Sequence, residues 1–175
     1  MIRRPRLLAI LAGCTMVAAA TTAADGDLFF GAKLQGDNET PTISTSGNGT
    51  FKATANTLNG TIEYEVSYSD LQGTLTQAHI HIGQQHTAGG VVLFFCTNLA
   101  PPANVPAPQP CPPSPATVKG VLTAADVIPV VGQGIGAGEI DEIIANIKNG
   151  NAYANVHTNL FPAGEIRGQI QPETR

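Results

Sequence analysis

The stretch Gln77-Ala-His-Ile-His-Ile-Gly83 alternates polar and apolar residues in steps of two, the pattern of a β-strand. Ala78, Ile80 and Ile82 fall on one face, and His79 and His81 on the other. A second stretch, Tyr153-Ala-Asn-Val-His-Thr158, reads the same way. There Ala152, Ala154 and Val156 share one face, while Tyr153, Asn155 and His157 share the other. Histidines two residues apart on a strand have Cα atoms roughly 6.5 Å apart, close enough for their imidazoles to converge. His157, from a neighbouring strand, would complete a three-nitrogen set. Three of the chain's four histidines thus lie opposite the apolar faces of their own strands, and a shared site accounts for the coincidence.

Outward from these two strands the chain reads as short extended runs broken by turn residues. Phe29 to Leu34 ends at Gly36-Asp37-Asn38, and a Gly/Ser/Thr-rich stretch leads into Thr50 to Thr54. Asn59-Gly60 has the composition of a two-residue hairpin turn. Ile62, Tyr64, Val66 and Tyr68 then oppose Glu63, Glu65 and Ser67 on a cleanly alternating strand. Val91 to Phe95 is a continuous apolar run suited to burial, and Thr117 to Leu122 follows. In the last run, Glu165 to Ile170, the pattern predicts Ile166 and Ile170 inward and Glu165, Arg167 and Gln169 outward. About eight short strands separated by turns predict an all-β, antiparallel β-sandwich or barrel.

One helix interrupts the strands. Ile140, Ile143, Ile144 and Ile147 have the i, i+3, i+4, i+7 spacing of an amphipathic helix. Acidic residues at its start, and Lys148 and Gly150 at its end, suit its dipole and its C-cap. Thr123-Ala-Ala-Asp126 predicts a capped shorter turn that Pro129 ends. The four glycines between residues 132 and 138 lack the lysine that a phosphate loop needs.

Residues 1–24 read as an export signal. Arg3, Arg4 and Arg6 form a positive start, and Leu7 to about Ala20 an apolar segment too short to span a membrane stably. Thr22 and Ala24 are the small residues that cleavage requires. The rival reading is a lipid anchor, because Leu11-Ala12-Gly13-Cys14 resembles a lipobox; the apolar residues after Cys14 favour ordinary cleavage. Either way the expectation is a periplasmic or extracellular protein with no membrane span. The remainder, residues 25–175, is long enough for one domain with a full core. Without the three signal arginines the chain carries 6 Lys+Arg against 13 Asp+Glu, a net charge of −7. Nucleic acid and anionic lipid, which need basic patches, are poor partners for such a chain.

Cys96 and Cys111 are left as an even pair in an exported chain, which reads as a disulfide. The 14 residues between them hold five prolines and no periodic pattern, so the bridge would staple a loop that cannot pack itself. With both cysteines bridged and both methionines in the signal, no soft ligand remains for a type-1 copper centre. His79, His81 and His157 suit copper or zinc, with copper ahead. His86 is a weaker fourth ligand, since its parity places it off that face. Glu63, Glu65 and Asp70 are the acidic residues considered as orienters of the ligands. No Gly-x-Ser-x-Gly nucleophile motif occurs, no pair of carboxylates stands out, and the glutamate of the cupin pattern is replaced by Gln84-Gln85.

Five motifs together resemble one family. They are Leu34-Gln-Gly-Asp-Asn-Glu39-Thr-Pro41, Ala78-His-Ile-His-Ile-Gly83, Gly120-Val-Leu-Thr-Ala-Ala-Asp126, Tyr153-Ala-Asn-Val-His-Thr158 and Gly164-Glu-Ile-Arg-Gly-Gln169. The combination resembles the CHRD domain, the module repeated in chordin and found singly in exported bacterial proteins, over about residues 28–171. The resemblance implies an antiparallel sandwich of immunoglobulin-like or superoxide-dismutase-like type. It implies little about activity; chordin itself acts outside cells and binds growth factors. The His-x-His strand is also similar to that of copper–zinc superoxide dismutases, whose zinc-loop histidines and aspartate have no recognisable counterpart here. The expectation is therefore an exported β-sandwich with one inserted helix and a three-histidine transition-metal site. The rivals are a metal-free module binding an extracellular protein or glycan, and a metal-dependent redox enzyme.

Overall fold

Period-two alternation becomes nine strands in the computed structural model, which describes residues 26–174. Residues 1–24, expected to be an export signal, and Cys14 within them lie outside the described residues. The strands are β1 (Asp27–Gln35), β2 (Asn48–Asn56), β3 (Thr61–Ser69), β4 (Leu75–Ile82), β5 (Gly90–Thr97), β6 (Ala116–Leu122), β7 (Ala152–Thr158), β8 (Ile166–Gln169) and β9 (Gln171–Glu173). The helix α1 covers Ile140–Lys148. Among the described residues no helix is long and apolar enough to cross a membrane.

All nine strands belong to one antiparallel sheet in the order β5-β4-β7-β8-β1-β2-β3-β6, with β9 paired to β1. The sheet curls until its two ends face each other. Phe30, Leu34, Phe51, Ile62 and Val66 from one half meet Ile80, Leu93, Phe95, Val156 and Ile166 from the other, all essentially buried. The rings of Phe51 and Tyr64 lie 5.4 and 4.8 Å from that of Phe95. The fold is thus all-β, sandwich-like and nearly closed, as expected.

The gap lies between β5 and β6, and the Pro-rich loop fills it. Cys96 at the end of β5 is bonded to Cys111, with Cα atoms 5.0 Å apart. Inside the loop, the Gln109 carbonyl accepts from the Thr97 amide of β5. Gln109 Nε2 donates to the Lys119 carbonyl of β6 and to the Tyr64 hydroxyl. Tyr64 in turn donates to the Phe95 carbonyl. Backbone groups that an open sheet edge would leave unpaired are satisfied by a loop that the disulfide holds in place.

The isoleucine stripe of α1 is buried as its spacing predicts, and the helix packs on β4, β7 and β9. The turn at Ala124–Asp126 carries the full capping box from Thr123 and Asp126. Two expectations need correction. The β2–β3 connection is four residues long, not two, because Asn56 pairs with Thr61. Asn56 Oδ1 accepts the amides of Leu58 and Asn59, forming a side-chain-capped turn that leaves only Gly60, at φ 63°, in the left-handed region. The face of β8 assigned outward is not solvated either: Glu165 and Arg167 are 0% and 4% exposed. Loops around residues 36–47 and 83–89 cover that face, and Glu165 accepts from Thr45, Thr158 and the amides of Gln72 and Gly73.

Replacing Cys96 and Cys111 together with serine should cost about 3 kcal/mol, the chain-entropy value for a loop of this length. Urea melts of parent and variant test this. A change below about 1 kcal/mol would mean that the loop seals the seam without its bridge.

Candidate functional site

The histidine positions follow from the register of β4 on β7. His79 pairs with Asn155, Gln77 with His157 and His81 with Tyr153, so His157 sits diagonally beside His79 on one face. The rings of His79 lie 4.6 Å from His81 and 4.4 Å from His157, and those of His81 and His157 are 6.1 Å apart. One nitrogen from each lies within 4.8 Å of the others. All three side chains are buried.

Main-chain carbonyls orient two of the rings. His81 Nδ1 lies 2.8 Å from the Gly89 oxygen, and His157 Nδ1 lies 3.0 Å from the Pro162 oxygen. A carbonyl only accepts, so both rings carry their proton on Nδ1 and leave Nε2 as a lone pair. Those Nε2 atoms, and both nitrogens of His79, are buried and have no hydrogen-bond partner among the described residues. Such groups are exceptional in folded proteins and ask for an explanation. Phe94 closes one side of the cluster, edge-on to His79 at 4.9 Å. Tyr153 stacks on His81 at 4.5 Å, and the Arg167 guanidinium lies 3.4 Å from the Tyr153 ring centre.

Burial makes the triad neutral. It drives His79 well below the ordinary histidine range, aided by the neighbouring charges of His157 and His81. Burial lowers His81 to about 4 against the opposing Gly89 hydrogen bond, and lowers His157 against that of Pro162. Three uncharged imidazoles with nitrogens this close together are a donor set that could hold a metal ion.

The other expected participants are elsewhere. His86 is exposed and outside the cluster. Glu65 pairs with Lys119 at 2.6 Å on the surface, Asp70 accepts from Asn48 and Ser69, and Glu63 is exposed. None of them orients the histidines. Carbonyls do, and a carbonyl has no mark in a sequence.

One acidic residue beside the site was not singled out by alternation. Glu39 is 6% exposed and accepts from Asn155 Nδ2 at 2.7 Å; the same amide donates to the Ile166 carbonyl. Gly164, at φ 130°, passes so close that a Cβ would collide with both Glu39 and Asn155. Burial raises Glu39 to about 7, with the Asn155 hydrogen bond and the Arg167 charge opposing. Its partner Asn155 was legible, since it shares the polar face of β7 with His157.

These shifts act on stability with opposite signs. Between about 4.5 and 7 the folded chain holds a proton on Glu39 that the unfolded chain releases, so stability falls as pH rises through that window. His81 is the reverse: the unfolded chain binds the proton first, so stability falls as pH drops from 6.5 through about 4. Glu39→Gln keeps an acceptor for Asn155 and removes the first effect. In chelator-treated protein the variant should gain up to roughly 3 kcal/mol on the parent at pH 8 and little at pH 4. Chemical melts at both pH values decide it; an equal change at both would show that Glu39 carries no such burden.

The antiparallel, sandwich-like sheet agrees with the fold implied by the module that the sequence motifs resemble. Comparisons with curated proteins and with solved structures return no match. A comparison with protein families matches the CHRD domain over residues 30–170. With nearly all of the described fold inside that match, the chain belongs to the CHRD domain family.

Proposed function

We propose that this CHRD-domain protein is exported and holds one transition-metal ion, copper ahead of zinc, on His79, His81 and His157. The observation that carries the reading is the set of buried, unpartnered nitrogens on three histidines whose ligand atoms lie within 4.8 Å of one another. Each such group left unsatisfied costs about 1–3 kcal/mol, a cost that a shared cation removes. The carbonyls behind His81 and His157 are the kind of support that metal-ligating histidines receive, fixing tautomer and ring orientation. An ion about 2.0–2.1 Å from each nitrogen needs them about 3.4 Å apart. From within 4.8 Å, small side-chain rotations close the set. Nitrogen-only ligation serves both metals, and the general affinity order of divalent ions puts copper above zinc. Export is supported by the arginine-led apolar start of the chain and by the Cys96–Cys111 bridge, which suits an oxidising compartment. The Nε2 atoms are shielded from solvent, which favours holding an ion over turning over a substrate.

The test is elemental analysis of the purified protein after challenge with copper and zinc and desalting, beside a His79→Ala/His157→Ala variant. The parent should retain about one equivalent and the variant almost none, and copper EPR should then count three nitrogens. Metal-free parent, or equal retention by both proteins, would sink the proposal and leave the histidines as a packing cluster.

A further inference from the structure

Where β1 and β8 meet the connection between β4 and β5, the surface opens into a cavity of about 280 Å³. It is lined by Lys33, Asn38, Gln85, Arg167, Gln169 and Gln171. Every lining side chain is polar, two are cations and none is a carboxylate. That runs against a chain in which 13 Asp+Glu outnumber 9 Lys+Arg. Its volume stands just below the usual range for small-molecule pockets, about 300–1,000 Å³, so it suits a single small ring.

Arg167 anchors the cavity. Its guanidinium is held against Tyr153 and donates through Nη2 to the Gln84 carbonyl at 3.2 Å. That is the one hydrogen bond its side chain makes among the described residues, out of five N–H donors. A fixed planar fork with donors to spare matches a carboxylate in two-point fashion, with little freedom left to lose on binding. Lys33 on β1 is exposed and forms no salt bridge among the described residues, so it adds a second positive charge. Glu39 is the acidic group that acts on Arg167 from the protein side, and its burial keeps part of that population uncharged near neutrality.

The other four lining residues are carboxamides, a group that can donate and accept as a hydroxyl does, but the Gln169 amide is spent on two carbonyls and its oxygen is buried. Two are fixed: Asn38 donates to the Arg167 carbonyl, and Gln169 to the carbonyls of Gly83 and Gly150. Gln85 and Gln171 are exposed, with side chains that make no hydrogen bond among the described residues. Two cations for one acid group, surrounded by hydroxyl-matching amides in a space for one ring, define a ligand class. We infer that this pocket binds a sugar acid of monosaccharide size, with its carboxylate on Arg167 and Lys33 and its hydroxyls on the carboxamides of Asn38, Gln85 and Gln171. The inference stands on the pocket alone and does not depend on metal at the histidines.

Amide NMR titrations of the purified protein with glucuronate, glucose and inorganic sulfate, at constant ionic strength, test it. Glucuronate should saturate by about 10 mM, with shifts centred on Lys33, Asn38, Gln85 and Arg167. Glucose and sulfate should each bind about tenfold more weakly or worse. Lys33→Ala, at an exposed position outside the core, should weaken glucuronate at least about fivefold. Arg167→Lys, which keeps the charge and loses the fork, should weaken it further. Glucose binding as well as glucuronate, sulfate binding as well as glucuronate, shifts centred elsewhere, no saturation, or an unaffected Lys33→Ala variant would each overturn the inference.

Discussion

β4 and β7 pair from Leu75↔Thr158 to Ile82↔Ala152, and the pair is covered on both faces. The inner face is ordinary core: Ala78, Ile80, Ala154 and Val156 have almost no exposure. The outer face carries His79, His81, Asn155 and His157, and burying such groups is costly unless each finds a partner. Much of the surrounding structure supplies those partners. The connection after β4 returns so that the Gly89 carbonyl reaches His81 and its amide reaches the Tyr153 hydroxyl. The connection after β7 turns so that the Pro162 carbonyl reaches His157. The segment after β1 delivers Glu39 to Asn155, and Glu165 gathers donors from three parts of the chain. On these two strands the exceptions are both nitrogens of His79 and the Nε2 atoms of His81 and His157.

The seam between β5 and β6 answers a different problem. A sheet that curls without closing leaves two edges, and backbone groups on those edges need donors and acceptors. Here one glutamine serves both edges, and the disulfide holds the loop that presents it. Proline suits such a segment because it has little conformational freedom to lose and no amide to satisfy. The Tyr64 hydroxyl ties the seal to the core, receiving from Gln109 and donating to Phe95. Closure of the sheet therefore leaves the outer face of β4 and β7 free to be built from polar residues.

What could be read from the residues was periodicity. Alternation placed the strands, the isoleucine spacing placed α1, and the shared parity of His79, His81 and His157 brought three distant side chains to one face. Alternation reports which face a residue takes, but not whether loops cover that face. For that reason Glu165 and Arg167 read as surface residues and are buried. The same limit hid Glu39, whose role depends on a turn that returns to β7. Glu63, Glu65 and Asp70 offer themselves as orienters only because side chains are visible in a sequence. The groups that orient His81 and His157 are main-chain oxygens of loops, placed only by the folded path.

The histidine triad and the cationic pocket share a wall. Arg167 lies against Tyr153, and Tyr153 is stacked within 7° of parallel on His81. Arg167 cannot swing toward a ligand without leaving that ring, and Tyr153 cannot tilt without releasing His81 or the Gly89 amide. Rigidity is what the stack provides: a guanidinium and an imidazole each held in one plane by a ring that touches both. Preorganised groups bind with less entropy to lose, and the guanidinium and the imidazole on this wall are both held by contact with one ring. A face crowded with polar groups thus holds a guanidinium and an imidazole in fixed planes beside the unpartnered nitrogens of the triad.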